Sequence, residues 1–184
     1  MADLLPFLTS IISLRDPHGK GHSHHVGELS STFGKKVGLT SSQIKILKFA
    51  AQIHDIGKIA INEFIINKPG RFTEAEYLMV KHHSQLGANL IETLGLDPLI
   101  TLIILHHHEN FDGSGYPHKL QGDQIPLEAR IIRITDTYDA LTSDRGYRSA
   151  YTHKKALEIM EQERNFFDPH LLEIFLKMQR GRKQ

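Results

Sequence analysis

The sequence predicts an all-α, single-domain bundle of about seven to nine helices with a metal centre in its core. Apolar residues recur at helical spacing through nearly the whole chain, without strand alternation of useful length and without an internal repeat. Thirteen of the 184 residues are histidine, and several lie on apolar helical segments. Imidazoles on the interior faces of neighbouring helices are typical of metal sites inside a helical bundle.

The composition excludes several classes of protein. A net charge of +1 gives no sign of a nucleic-acid-binding face, so we expect no DNA partner. The sequence contains no cysteine, so any metal must use nitrogen and oxygen ligands. The longest apolar run is far shorter than a membrane span, and the N-terminus lacks the features of a signal peptide. We therefore expect a cytoplasmic location.

We expect three segments along the chain. Residues 1–14 form an N-terminal helix that packs on the domain, residues 15–178 form the domain itself, and residues 179–184 form a basic, solvated tail. Within the domain, the segment 110–124 is glycine-rich and is expected to be a loop.

Start signals divide the chain into helices. Asp-Pro pairs and Thr-x-x-Gln or Thr-x-x-Glu patterns are typical of helix N-termini. One predicted helix contains both His82 and His83, and Gly95 closes the helix after it. The predicted helices begin near Leu4, His18, Thr40, Thr73, Asp97, Pro126, Thr152 and Asp168.

The dipeptide His54-Asp55 lies in an isoleucine-rich segment that is expected to face the interior. A buried carboxylate needs a partner. Lys58, one helical turn away, could supply an ion pair, and a metal cation is the alternative. Taken alone, the ion pair with a lone core histidine is the more common arrangement.

Other candidate ligands favour the metal cation over the ion pair. Each of them alone has an ordinary structural explanation, such as a solvated histidine pair or a helix cap, but burying all of them without partners would cost several kcal/mol each. The set exceeds the four ligands of a single structural ion, so we expect two ions, with Asp55 between them. The candidates are His22, His54, Asp55, His83, His107, His108 and Asp136.

Cationic side chains near these ligands could hold a phosphate group. Lys58 follows Asp55 by one turn, and Arg145 and Arg148 follow the helix of Asp136. The arginine fork matches two phosphate oxygens. Two adjacent ions that share a hydroxide are a common device for hydrolysing phosphate esters, so the predicted chemistry is attack of a metal-bridging hydroxide on phosphorus.

Two motifs resemble a known family. HDIGK (residues 54–58) resembles the signature of the HD metal-dependent phosphohydrolases, and HHENFDGSGYP (residues 107–117) resembles that of the HD-GYP branch. The resemblance extends from about Arg15 to Phe175. It implies an all-helical phosphodiesterase that hydrolyses cyclic di-GMP to pGpG, and often to GMP, with two or three ions that are commonly iron or manganese.

Carried over by motif, the resemblance implies the same seven metal ligands. It assigns Asp55 and Lys58 to catalysis, and Lys58, Arg145 and Arg148 to the substrate phosphate. Two positions depart from the family pattern. His18 stands where the family often has Tyr or Glu, and is a candidate ligand for a third ion. Gly146 stands where the family usually has Pro, which makes the segment between the two arginines more flexible.

Alternative interpretations stay open. The chain could be a metal-containing module that binds or docks cyclic dinucleotides with weak turnover, or its substrate could be another cyclic dinucleotide or a nucleotide monophosphate. The loop from Asp112 to Pro117 could contact a diguanylate cyclase (GGDEF) domain, but a structural role in orienting His107 and His108 is the favoured interpretation. Imidazole and carboxylate also accept zinc or nickel, so the sequence does not identify the metal.

Overall fold

The computed structural model describes residues 4–15, 21–144 and 149–181. Within these ranges the chain forms nine α-helices of at least eight residues, a four-residue helical turn (α4) and three short 3-10 helices, with no strand. This confirms the predicted fold class. The α-helices are α1 (Leu5–Arg15), α2 (His22–Val37), α3 (Ser41–Ile53), α4 (Glu63–Ile66), α5 (Glu74–Lys81), α6 (His83–Thr93), α7 (Pro98–His106), α8 (Leu127–Thr142), α9 (His153–Gln162) and α10 (Pro169–Arg180). The 3-10 helices are Ile56–Ala60, Gly122–Gln124 and Arg164–Phe166.

Polar caps begin several of these helices where the sequence predicts them. Thr40 and Thr73 each form a capping box, with Gln43 and Glu76 respectively. Each box satisfies backbone N–H groups that a helix N-terminus otherwise leaves without partners. The Asp-Pro pairs at 97–98 and 168–169 cap α7 and α10 in the same manner, because the aspartate accepts backbone hydrogen bonds and proline suits the first helical position.

The hydrophobic core lies where α2 packs against α3 and α8, and where α7 packs against α3 and α6. The isoleucines of α7 and α8 that face this core are fully buried. Phe33 of α2 meets Phe175 of α10 edge to face, with ring centroids 5.1 Å apart. The core therefore fixes the relative positions of the five helices that carry or precede the predicted ligands.

Helix α1 packs on this core through Leu8 and Ile12, which are both buried. Among the helices of residues 4–15, 21–144 and 149–181, none combines the length and the apolar character needed to cross a bilayer. The predicted bounds of the N-terminal segment, the domain and the tail stay predictions, and residues 182–184 of the tail lie outside the described ranges.

One helix prediction is wrong. His82 and His83 do not share a helix, because α5 ends at Lys81 and α6 begins at His83. The N–H of His82 donates to the carbonyls of Met79 and Val80 as the helix closes. Helix α2 begins at His22, later than the predicted start near His18, because its N-cap Gly21 lies in the left-handed region with a φ of 89°.

Gly57 lets the 3-10 helix Ile56–Ala60 lie directly on α6. A Cβ atom at Gly57 would overlap the backbone carbonyl of His83 and lie 2.5 Å from the backbone nitrogen of Gly87. Contacts of that length with backbone atoms require the chain itself to shift. The glycine of the HDIGK motif is therefore a packing requirement that holds Asp55 close to His83.

Candidate metal centre

The seven predicted ligands converge in two groups. Asp55, His83, His107 and His108 form one, here called the His83 cluster, and His22, His54 and Asp136 form the other, here called the His22 cluster. Within each group, one potential ligand atom per residue lies within 4.8 Å of the others. Five different helices, α2, α3, α6, α7 and α8, carry these residues or end beside them.

Asp55 lies between the two groups. Its Oδ1 is 3.4 Å from His83 Nε2, and its Oδ2 is 3.5 Å from His54 Nε2. Each oxygen of one carboxylate thus faces a different cluster. Burial would raise the pKa of Asp55, but the charges of Lys58, His54 and His83 outweigh it and hold that pKa well below its usual range. Asp55 is therefore an anion suited to two cations.

Three of the imidazoles are oriented by helix ends. His54, His83 and His107 each donate Nδ1–H to the carbonyl three residues earlier, at 2.7, 2.7 and 2.6 Å. A carbonyl can only accept, so the proton belongs on Nδ1. The last carbonyls of a helix have no partner within the helix, which makes this position suitable for an anchored histidine. Where Nδ1 carries the only ring proton, Nε2 keeps its lone pair and faces the centre.

The His83 cluster brings two of these lone pairs together. His83 Nε2 and His107 Nε2 are 3.2 Å apart. Burial lowers the pKa of His83, and burial together with the neighbouring His54 and His83 lowers that of His107 well below its usual value. Two neutral imidazoles that face each other in this way repel unless a cation lies between them. The donor set of the His83 cluster therefore fits a metal ion.

In the His22 cluster, a proton on His22 contributes to the charge balance. His22 Nε2 lies 3.1 Å from Asp136 Oδ1, and its Nδ1–H donates to Asp139 Oδ2 at 2.6 Å. Burial would lower the pKa of His22, but these hydrogen bonds and the nearby carboxylate charges raise it to about 9. A histidine with one nitrogen at a metal site and the other on a carboxylate is a common arrangement around bound metals.

Asp139 was missed by the sequence interpretation. It lies three residues after Asp136 on α8, so the two carboxylates share one helix face and that spacing was available as a signal. Its partner His22 is 117 residues away in the chain. Only the packing of α2 on α8 brings the two side chains together.

The interpretation of Lys58 needs a correction. The sequence favours a phosphate contact for Lys58 in place of an ion pair with Asp55. The structure places Lys58 Nζ 2.8 Å from Asp55 Oδ2, so the ion pair exists. Lys58 also lines the cavity beside the centre. The ion pair with Asp55 therefore leaves Lys58 at the cavity surface.

The loop that follows His107 and His108 packs onto them. Tyr116 stacks on the His108 ring with centroids 4.9 Å apart, and its backbone N–H donates to the carbonyl of His108. Gly115 is buried, and a Cβ atom there would overlap the backbone of Asn110. Buried Glu109 accepts the N–H of His118 at 2.7 Å and thereby fixes the far side of the loop. These contacts agree with the predicted role in orienting ligands.

A cavity of about 610 Å³ opens over both clusters, and Asp55, His22, His83, His108 and Asp136 form part of its lining.

Four residues singled out in the sequence fall on segments that the structure does not describe. These are His18, Arg145, Gly146 and Arg148.

The family model for the HD domain matches residues 6–171, which is most of the chain. The chain belongs to the HD domain family. Membership confirms the resemblance seen in the HDIGK and GYP motifs and implies binding of divalent metal ions.

Two relatives have curated names. A cyclic di-GMP phosphodiesterase response regulator, RpfG of Xanthomonas campestris pv. campestris (strain 8004), is 37% identical over 99% of this chain and 48% of its own length. The 3′3′-cGAMP-specific phosphodiesterase 2 of Vibrio cholerae is 33% identical over 95% of this chain and 34% of its own length. The chain of this HD domain thus spans less than half the length of these relatives.

Solved structures agree on the fold. A cyclic GMP-AMP-specific phosphodiesterase of V. cholerae superposes with a TM-score of 0.71 at 19% identity, covering 98% of this chain and 49% of that one. The HD domain of the L. monocytogenes phosphodiesterase PgpH, in complex with cyclic di-AMP, gives 0.69 at 20% identity, covering 94% and 92%. Both confirm the HD-domain fold.

Proposed function

We propose that this HD domain is a metal-dependent phosphodiesterase that hydrolyses cyclic di-GMP to linear pGpG and onward to GMP. The observation that carries the proposal is the pair of ligand clusters on either side of Asp55, at the base of an open cavity. A relative of 37% identity named as a cyclic di-GMP phosphodiesterase supports the choice of substrate.

We assign one ion to each cluster. His83, His107 and His108 would hold the first, His22, His54 and Asp136 the second, and Asp55 would contribute an oxygen to each. Imidazole and carboxylate ligands without a thiolate suit iron or manganese, which we propose as the natural ions. A third ion held in part by His18 stays a prediction.

Two divalent ions at such a centre, when bound, neutralise phosphate charge and acidify water. The chain's own residues prepare the site for this. Asp55 stays ionised because the ammonium group of Lys58, 2.8 Å from its Oδ2, stabilises its charge. Helix-end carbonyls fix the direction of the Nε2 lone pairs of His54, His83 and His107. Lys58, at the cavity surface, is placed to donate to a non-bridging phosphate oxygen.

Arg145 and Arg148 are proposed as further phosphate contacts on the strength of the motif alone. The loop of Tyr116 faces inward onto His108, which favours its ligand-orienting role. Contact between this loop and a diguanylate cyclase domain stays a prediction.

Incubation of the manganese-loaded protein with cyclic di-GMP, followed by chromatographic identification of the products, tests the proposal. We expect pGpG to form first and GMP to follow. Binding of cyclic di-GMP without turnover, at full metal occupancy, would contradict it and would favour a binding module instead.

A second candidate substrate is 3′3′-cGAMP, because a relative of 33% identity is named as specific for it. Parallel assays with both dinucleotides at equal concentration decide between them. A higher kcat/KM for cyclic di-GMP is expected, and a preference for 3′3′-cGAMP would replace the first candidate with the second.

A further inference from the structure

One wall of the cavity contains none of the seven clustered ligands and is cationic. It is formed by Tyr77, Lys81, Tyr116 and Arg133, here called the cationic wall, and all four line the same cavity as Asp55. Neither cation was singled out in the sequence, and the proposed chemistry at the two clusters does not use them.

Arg133 is held in place by neutral groups. Its Nε–H donates to Asn110 Oδ1 at 2.9 Å, and its Nη1–H donates to Thr137 Oγ1 at 2.6 Å. In the part of the chain that the structure describes, no carboxylate lies within ion-pair distance of its guanidinium, and Nη2 makes no hydrogen bond. Burial lowers the pKa of Arg133, but a guanidinium keeps its proton in proteins. The fork is therefore a fixed, partly desolvated cation with donors left over.

Lys81 supplies a second cation on the same wall. Its Nζ lies 4.5 Å from the ring centroid of Tyr77 and 5.4 Å from that of Tyr116. Aromatic faces attract an ammonium group but do not neutralise it. Across the described ranges, Lys81 forms no ion pair with a carboxylate. Two cations that form no direct ion pair with a carboxylate of the described residues therefore share one cavity wall.

The cationic wall lies beside the metal centre. Arg133 precedes Asp136 by three residues on α8, a spacing that puts the two Cβ atoms about 5–6 Å apart on one helix face. Lys81 precedes His83 by two residues. Because both cations line the same cavity as the clusters, a ligand with one anionic group at the metal centre could place a second anionic group near Arg133 and Lys81.

We infer that Arg133 and Lys81 bind the second, uncleaved phosphodiester of a cyclic dinucleotide while the first lies at the metal centre. The inference rests on the proposed function and adds to it the means by which a substrate with two phosphates is oriented. The neutral edge of a guanine base could accept hydrogen bonds from Arg133, but it would leave both cations without a direct anionic partner. An anion satisfies the charges as well as the donors.

The test compares substrates with two phosphodiesters and with one. Arg133→Ala, Arg133→Lys and Lys81→Ala are assayed as manganese-loaded proteins on cyclic di-GMP, cyclic di-AMP and bis(p-nitrophenyl) phosphate. Arg133→Ala is expected to lower kcat/KM by about tenfold or more on both cyclic dinucleotides, mainly through KM, because a charge-assisted hydrogen bond is lost. Bis(p-nitrophenyl) phosphate has no second phosphate, so its hydrolysis should stay within about twofold and also reports correct folding.

The remaining variants sharpen the result. Arg133→Lys keeps the charge and should recover part of the loss, and Lys81→Ala should show a smaller loss in the same direction. Arg180→Ala is the matched control, since Arg180 is exposed, pairs with Glu161 and does not line the cavity. It should leave all three rates unchanged.

Several outcomes would overturn the inference. Unchanged rates of Arg133→Ala on both cyclic dinucleotides would remove its role, and a loss confined to cyclic di-GMP would show that Arg133 contacts guanine instead. An equal loss on bis(p-nitrophenyl) phosphate would make Arg133 a structural support of the centre. If the wild-type protein hydrolyses none of the three, the proposed function fails, and calorimetric titration with cyclic di-GMP then decides the inference separately. Equal Kd values for wild type and Arg133→Ala, or no binding by either, would refute it.

Discussion

The His83 cluster and the His22 cluster use the same two ligand types but balance their charges differently. In the His83 cluster, burial lowers the pKa of all three histidines, so their rings are neutral and their lone pairs are available. In the His22 cluster, hydrogen bonds to Asp136 and Asp139 outweigh burial and raise the pKa of His22 to about 9, so a proton on His22 offsets part of the carboxylate charge. Burial thus favours neutral histidines in the His83 cluster, whereas carboxylates favour a protonated histidine in the His22 cluster.

The clusters also differ in what holds their ligands. Backbone carbonyls at helix ends anchor His83 and His107, and these anchors do not depend on any other side chain. His54 of the His22 cluster has the same kind of anchor, but His22 begins its helix and is oriented by the side chain of Asp139. We therefore expect the His83 cluster to tolerate changes in pH and in surrounding side chains better than the His22 cluster.

Removing the residue common to both clusters should have the largest effect. Asp55→Asn removes the negative charge that faces both groups of histidines, so we expect cyclic di-GMP hydrolysis to fall by about 10³-fold, since several kcal/mol of charge stabilisation are lost. Initial-rate assays at saturating manganese measure this, with metal content determined by mass spectrometry. The exposed carboxylate variant Asp123→Asn serves as control and should retain wild-type rates. Near-wild-type activity of Asp55→Asn would show that Asp55 is not shared between two ions.

The pH dependence of metal binding should separate the clusters. Below about pH 9, an ion that enters the His22 cluster must displace the proton of His22. The affinity of the His22 cluster for the ion should therefore rise about tenfold per pH unit and level off above pH 9. The His83 cluster releases no histidine proton in this range, so its affinity should be nearly flat. Calorimetric titrations at about pH 6.5, 7.5 and 8.5, in buffers of different ionisation enthalpy, measure both affinity and proton release. Two binding events with the same pH slope would contradict the distinction.

Asp139→Asn should affect the His22 cluster alone. Loss of a carboxylate behind a ligating histidine costs about 10- to 100-fold in metal affinity. The same change removes one cause of the raised pKa of His22, so the levelling-off of affinity should move to lower pH. Metal titration of this variant is compared with Asp144→Asn, an exposed carboxylate near the end of α8. A loss at both binding events would mean that the two clusters are not independently supported.

The smallest effect concerns packing near the His83 cluster. Gly57→Ala puts a Cβ atom against the backbone of His83, so we expect a loss of about 1–3 kcal/mol in unfolding free energy. Urea unfolding measures the loss. Gly181→Ala, where the added carbon meets ordinary contacts of 3.5 Å or more, is the control. A Gly57→Ala variant as stable as Gly181→Ala would show that α6 can move away from Gly57 without penalty.

The sequence sufficed for the helices and for the identity of the clustered side chains. Capping pairs such as Thr40 with Gln43 act within one turn, and helical spacing shows which residues share a face. The break at His82 was not predictable, because no proline or glycine marks it. Contacts between side chains on different helices were also not predicted. The positions of Asp139, behind His22, and of Arg133, on the cavity wall, depend on how α8 packs in the bundle, including its contact with α2.

Lys58 illustrates the limit of choosing between local alternatives. A three-residue spacing from Asp55 predicts an ion pair, and the structure contains one. The same ammonium group also lies at the cavity surface, where it can contact a ligand, and sequence spacing does not show this position. The two interpretations were compatible because an ammonium group has three donors.

The central claim is that two ions share Asp55, and anomalous diffraction tests it most directly. Crystals of the manganese-loaded protein, measured near the manganese absorption edge, should show two peaks, one beside His83, His107 and His108 and one beside His22, His54 and Asp136. Each peak should lie within bonding distance of a different oxygen of Asp55. A single peak at full manganese occupancy, or two peaks that leave Asp55 uncoordinated, would contradict the account.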